Sequence, residues 1–238
     1  MRKLFDLSPN FSKKTRKSSK VKFIIIHYTG MQSEIESIKR LKSKKEKVSC
    51  HYLINKKGKI IQMVPENKIA WHAGISRWKK YRNLNINSIG IELVNRGHRF
   101  GYEKFSDLQI NKLIALCKNL KKKYNIKKYN VLGHSDIAPL RKIDPGEKFP
   151  WKKLSKFNLG FWYKNLNNNL KKSKKEKIRN LFFKNLFKIG YRYFSINIPK
   201  KSDRFIICAF QRRYTPRNVT GKLNQKTLLI SDFLAKAQ

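Results

Sequence analysis

The sequence predicts an α/β fold: a mixed β-sheet flanked by helices, followed by a small three-helix domain. Three observations lead to it. Short β-branched runs bounded by turn residues recur between Val21 and His134. Two stretches between them carry apolar residues at helical spacing and open on capping signals. After Trp151 the composition becomes polar and basic, and the periodicity that follows is helical.

The first run, "VKFIIIHYT", reads as a buried strand ending at His27. A helix follows, because Ser33 with Glu36 three residues later forms a capping box and Ile35, Ile38 and Leu41 recur at helical spacing. "HYLINKKGKIIQMV" reads as two strands joined by a Lys-Gly turn, with Tyr52 and Ile54 alternating against Leu53 and Asn55. In the next strand, "SIGIELVN", Glu92 shares a face with Gly90 and Val94, while Ile89, Ile91 and Leu93 face the other way. From Ser106 to about Tyr124, Leu108, Leu113, Leu116, Cys117 and Leu120 define an amphipathic helix, and Ser106 with Gln109 offers a second capping box. "YNVLGH" is a brief strand ending at His134. The order strand, helix, hairpin, strand, helix, strand is that of a sheet with helices packed on it.

The polar stretch "NLNNNLKKSKKEK" predicts a linker over 165–175. Beyond it, "IRNLFFKNLFKIGY", "RFIICAFQRRY" and "KLNQKTLLISDFLAK" fit three short helices. The expected organisation is a basic N-terminal arm over 1–20, a catalytic domain over 21–164, the linker, and a helical domain over 176–238.

The chain of 238 residues is 40% hydrophobic, enough for a buried core, and its longest apolar runs are too short to cross a bilayer. Its first twenty residues are basic and lack an apolar signal region or lipid-attachment cysteine, so a cytoplasmic location is expected, with the periplasm as the alternative. Cys50, Cys117 and Cys208 are odd in number and widely spaced, which argues against a disulfide framework or a thiolate metal cage. They read as buried small hydrophobes. With 57 Lys+Arg against 14 Asp+Glu, a formal +43, the chain would attract any polyanion, a carboxylate-rich wall polymer included. Motifs of specific nucleic-acid readout do not accompany the basic runs.

The stretch "VLGHSDIAPLRKIDPGEKFPW" holds one histidine and two aspartates among prolines and glycine. It is either a surface turn or a rigid loop that presents His134, Lys142 and Asp144. His27, His134 and Asp144 together would give two imidazoles and a carboxylate, the donor set of a catalytic zinc site with its fourth position open. Glu92, an acid in an apolar strand, is a candidate base, its plainer alternative being a salt bridge to a lysine. Lys142 lies two residues before Asp144, so in extended chain both point one way, and its cation suits an oxyanion. Arg141, out of phase, is expected to face solvent.

The blocks "FIIIHYTG", "VSCHYLINKKGKIIQMVPENKIAWHAG", "NSIGIELVNRG" and "GHSDIAPLRKIDPGEKFPW" resemble, in that order, the zinc-dependent N-acetylmuramoyl-L-alanine amidases of the type 2 amidase family, whose fold is similar to peptidoglycan recognition proteins. The resemblance spans about Val21 to Trp151. It implies one Zn2+ per chain on His27, His134 and Asp144, with Glu92 as base and Lys142 as oxyanion stabiliser. It also implies cleavage of the amide between the muramoyl lactyl group and L-alanine, in peptidoglycan or muropeptides. Some relatives carry a catalytic tyrosine just before the histidine of "HYLI"; here that position is Cys50. "AWHAGISRW" resembles the substrate-lining segment, making Trp71 and His72 candidate substrate contacts, and Asn87, which opens the third block, is counted with them. His51 is expected to be structural and His98 an exposed loop residue. "LFKIGY" with "CAFQRRYTPRNVTGKLNQKT" resembles small peptidoglycan-binding modules through Phe210, Gln211, Gly221 and Thr227. The competing readings are a non-catalytic wall-fragment receptor and, further off, a basic nucleic-acid-binding protein.

Overall fold

Ten strands and seven α-helices are found among the residues that the computed structural model describes, 4–164, 166 and 175–237. The strands are β1 (Leu4–Phe5), β2 (Phe11–Ser12), β3 (Phe23–Tyr28), β4 (Tyr52–Ile54), β5 (Ile60–Gln62), β6 (Ile69–Ala70), β7 (Arg77–Trp78), β8 (Tyr81–Arg82), β9 (Ser88–Leu93) and β10 (Val131–Gly133). The helices are α1 (Glu34–Lys42), α2 (Asp107–Tyr124), α3 (His134–Ile137), α4 (Trp151–Ser155), α5 (Lys175–Ile189), α6 (Asp203–Tyr214) and α7 (Gln225–Lys236). None of the described helices is long and apolar enough to cross a membrane.

Six strands form one mixed sheet in the order β1-β5-β4-β9-β3-β10. From β4 through β9 and β3 to β10 the pairing is parallel, and β5 runs antiparallel to β4 as the predicted hairpin. Central parallel strands are covered on both faces, which is why β3 reads as an unbroken apolar run. One face carries Ile24, Ile26, Ile89, Ile91 and Leu93, packed on Leu113, Leu116, Cys117 and Leu120 of α2. On the other, Phe23, Ile25 and Leu132 meet Trp78, Leu84 and the phenylalanines Phe182, Phe183 and Phe210 of the C-terminal helices. His27 continues the Phe23, Ile25 row, so it leaves the sheet on this second face.

The two predicted capping boxes are each half realised. Ser33 and Ser106 accept hydrogen bonds from the backbone N–H of Glu36 and Gln109, both at 3.1 Å. The return bonds differ. Glu36 accepts from Gln32 N–H rather than Ser33, and the Gln109 amide turns inward to donate to the Ile54 and Val94 carbonyls at 2.8 and 3.2 Å. A buried pair of strand carbonyls outcompetes a solvated helix end for that donor.

Residues 1–20, expected as a basic arm, are built into the fold where they are described. β1 pairs with β5, β2 pairs with β6, and Arg16 is buried beneath the sheet. Its guanidinium donates to the carbonyls of Glu66, Asn85, Ile86 and Ser88, a set of acceptors that accounts for burying the charge. The expected linker, 165–175, lies outside the described residues except for Leu166 and the backbone of Lys175. The C-terminal helices share a hydrophobic cluster with the sheet, so their core is continuous with that of the preceding residues.

Candidate metal centre and active site

Three elements of the sheet end at one place. His27 sits near the end of β3 and is the register partner of Glu92 on β9. β10 pairs with β3 through Val131–Gly133 opposite Ile24–Ile26, so His134, the next residue, emerges beside His27. Asp144 returns from the proline-containing loop, where its carbonyl accepts from Ser135 N–H at 2.9 Å. His27 Nδ1 lies 2.9 Å from His134 Nδ1, and Asp144 Oδ2 lies 3.1 Å from each. These donor atoms lie within 4.8 Å of one another, and all three residues are buried.

The remaining ring nitrogens fix which one faces the cluster. Ser88 Oγ donates to the Leu84 carbonyl at 2.6 Å, so it accepts from His72 Nε2–H at 3.2 Å. His72 Nδ1 is then an acceptor and takes the His27 Nε2–H at 3.0 Å, leaving the His27 Nδ1 lone pair pointing at the cluster. His134 Nε2–H donates to the Ala73 carbonyl at 3.1 Å, with the same result for its Nδ1. Such orienting bonds are the usual outer partners of ligating histidines.

Burial, with the adjacent His134 acting in the same direction, lowers the His27 pKa to about 4, and burial, then the nearness of His27, His51, His134 and Arg16, holds His72 well below the ordinary histidine range. Burial raises the Asp144 carboxyl, but the charge and hydrogen bond of His134, with those of His27, outweigh it and hold the group well below the usual range. The ring-nitrogen lone pairs oriented by these hydrogen bonds and the Asp144 carboxylate face one another in a buried space. That is a repulsive arrangement unless a cation shares them. An ion bound at about 2.1 Å in tetrahedral geometry wants its ligand atoms about 3.4 Å apart, a few tenths of an ångström wider than they stand. The donor set fits a divalent metal.

Beside the cluster is a cavity of about 560 Å³ whose lining includes Trp71, Glu92, His134, Lys142 and Asp144. Glu92 Oε2 is buried and has no hydrogen-bond partner among the described residues. Burial, then the charge of Asp144, pushes the Glu92 carboxyl up to about 8, with Lys142 and Arg40 opposing. The lysine salt bridge that was the plainer reading of Glu92 is not found among the described residues; Lys142 acts on it through space. Trp71 is half-buried in the cavity wall.

The other expected residues divide, some standing where the sequence places them and some not. Asn87 precedes β9 at the end opposite Glu92, and its amide donates to the Lys20 carbonyl at 3.1 Å. Five steps along the strand separate the two by about 16 Å, and Asn87 is not among the residues lining the cavity. His72 has both ring nitrogens committed to His27 and Ser88, which makes it an orienting group rather than a hydrogen-bonding partner for substrate. Arg141, expected in solvent, folds back to donate to the carbonyls of Ala73 and Ile75 and lines the cavity. His51 is buried between Gly90 N–H and Arg16, and Cys50 is buried against Met63. His98 is exposed, with Tyr28 and Glu147 as hydrogen-bond partners. The sequence reading passed over the Ser88 link and Arg141; a serine opening an apolar strand was the signal available for the first.

The family model described as N-acetylmuramoyl-L-alanine amidase matches residues 17–147. N-acetylmuramoyl-L-alanine amidase AmiD of Escherichia coli (strain K12) is 35% identical over 230 residues, covering 90% of this chain and 82% of AmiD. The 1,6-anhydro-N-acetylmuramyl-L-alanine amidase AmpD of the same organism is 42% identical over 105 residues, 44% of this chain and about half, 55%, of AmpD. Among solved structures, E. coli AmiD in complex with the substrate anhydro-N-acetylmuramic acid-L-Ala-D-gamma-Glu-L-Lys superposes with a TM-score of 0.77 at 32% identity, covering 95% of this chain and 92% of that one. AMPDH3 from Pseudomonas aeruginosa in complex with anhydromuramic pentapeptide gives a TM-score of 0.81 at 29% identity, covering 96% of each chain.

Proposed function

This chain belongs to the N-acetylmuramoyl-L-alanine amidase family, and we propose that it carries out that family's hydrolysis with one zinc ion held by His27, His134 and Asp144. The bond cleaved is the amide joining the N-acetylmuramoyl lactyl group to L-alanine. The substrates are peptidoglycan fragments of the kind bound in the AmiD and AMPDH3 complexes. The observation that carries the reading is the convergence of three neutral or anionic donor atoms within 4.8 Å beside a cavity that also holds an acid and a lysine.

When bound, a divalent ion supplies positive charge there, which polarises the scissile carbonyl, acidifies a water molecule and offsets the field of Asp144 on Glu92. The protein's own groups do the rest. Glu92 lines the cavity with its Oε2 unpaired among the described residues, placed to take the proton of the attacking water and hand it to the departing amine. Lys142 brings an ammonium to the same wall, where negative charge develops on the carbonyl oxygen as the tetrahedral centre forms. Trp71 offers an indole face to the sugar or the stem peptide.

A non-catalytic receptor would need the cavity but not Glu92 or Lys142 in it. Mass spectrometry of muropeptides incubated with the zinc-loaded protein tests the reading: free stem peptide is expected, and intact muropeptide bound without turnover would contradict it. Supplying sacculus, ordinary muropeptide and the 1,6-anhydro form side by side ranks the substrates.

A further inference from the structure

His134 is carried by a single helical turn of four residues, α3, which cannot hold its own direction. Its shape is fixed by Asp136, two residues on, whose Oδ2 accepts the Gly133 N–H at 2.8 Å and so closes the start of the turn. Asp136 is 1% exposed, and a carboxylate so buried needs partners. Both side-chain partners come from the C-terminal helical region. The Tyr191 hydroxyl donates to Asp136 Oδ1 at 2.6 Å, and the Arg213 guanidinium of α6 donates to Oδ2.

Arg213 also donates to the Val131 carbonyl on β10 at 3.1 Å and stacks over Trp151 at 4.0 Å from the ring centroid. It therefore ties together the strand before His134, the turn bearing it and the helix after the loop. The preceding residue, Arg212, stands 4.0 Å from Glu147, three residues beyond Asp144. Consecutive arginines on α6 thus reach the turn that bears His134 and the loop that bears Asp144.

We propose that Tyr191 and Arg213 are positioning residues for the metal ligand His134, acting through Asp136. The C-terminal helical region is then a working part of the metal centre, besides any hold it has on the cell wall. The inference rests on the reading of His27, His134 and Asp144 as a metal site. A turn held from three sides keeps the His134 imidazole aimed before the ion arrives, and loosening it costs affinity at the ion rather than contact with substrate.

The test uses the full chain with Tyr191→Phe, which deletes one hydroxyl from a buried ring, and Arg213→Lys, which keeps the charge but cannot reach the carboxylate and the Val131 carbonyl together. Zinc affinity is measured by competition with a chromogenic chelator, the visible spectrum is recorded on the cobalt-substituted protein, and circular dichroism monitors folding. Each variant is expected to bind zinc about tenfold more weakly and to shift the cobalt bands while keeping its fold at 25 °C. Affinity and bands identical to those of the unaltered chain, even with a lower thermal midpoint, would make the contacts merely structural and overturn the proposal. If Arg213→Lys does not fold, Tyr191→Phe decides. An unaltered chain that binds no ion removes the metal-site reading itself, an outcome seen without either variant.

Discussion

His27 and Glu92 are register partners on adjacent parallel strands, so the proposed metal ligand and the proposed base leave the sheet side by side on one face. The strand pairing sets their spacing, without help from a loop. Because Glu92 is not one of the three clustered donors, the two roles separate by mutation.

Glu92→Gln is expected to bind zinc at one equivalent and to lose hydrolysis by about a hundredfold or more, since general-base assistance typically contributes that much. Zinc content and turnover on a muropeptide check it. A fully active variant would remove Glu92 from the mechanism.

The same residue gives the metal-free protein a pH signature. Folded Glu92 titrates at about 8 against 4.5 for an ordinary glutamate, so between those values the native chain holds a proton that the unfolded chain has lost. Stability contributed by the neutral acid falls as pH rises through that window. The lowered pKa of His27 acts in the opposite sense, but only between about 4 and 6.5, and cancels in a comparison with the variant. In chelated protein, the stability advantage of Glu92→Gln over the unaltered chain should widen from pH 5 to pH 8 and level off above. A gap that stays constant in denaturant titrations would show Glu92 to be an ordinary exposed acid.

Much of this was legible in the sequence because it depends on residue type at fixed spacing. An apolar run ending in His27, a second short strand ending at His134 and an acid in an otherwise apolar strand survive folding as the elements that bear the site. Long-range partnerships were not legible. β1 and β2 are two residues each, too short to show a period, and Arg16 looks like any other residue of a basic stretch until its backbone acceptors assemble around it. His72 is expected to meet substrate because its segment resembles a substrate-lining one; it does line the cavity, but the bonds of both ring nitrogens to His27 and Ser88 are long-range and carry no signal in the sequence. Asn87, near Glu92 in sequence, lies at the other end of β9 because a strand turns sequence proximity into distance.

Gly90 makes room for His72. A Cβ added at Gly90 would lie 2.3 Å from His72 Cγ, so the ring that orients His27 exists where it does because the strand beneath it has no side chain. Gly90→Ala should cost about 1–3 kcal/mol through overpacking and weaken zinc binding, because the displaced ring releases His27 Nε2. Denaturant titration together with chelator competition reads both effects; a variant with unchanged metal affinity would separate His72 from the metal site.

Trp71→Ala removes a cavity wall without touching a ligand, the base or the lysine. If the indole binds substrate and transition state alike, KM rises about three- to tenfold with kcat retained, the worth of one aromatic contact. A fall in kcat at constant KM would assign Trp71 to the chemical step instead.

In the proposed mechanism, one ion shared by His27, His134 and Asp144 is required for amide cleavage. The most direct measurement is to strip the protein with chelator, add zinc back in fractions of an equivalent, and follow stem-peptide release by mass spectrometry. No release is expected from the stripped protein and full activity at one zinc per chain, with His27→Ala and Asp144→Asn failing to recover. Cleavage that persists in the stripped protein, or that returns equally in those two variants, would contradict it.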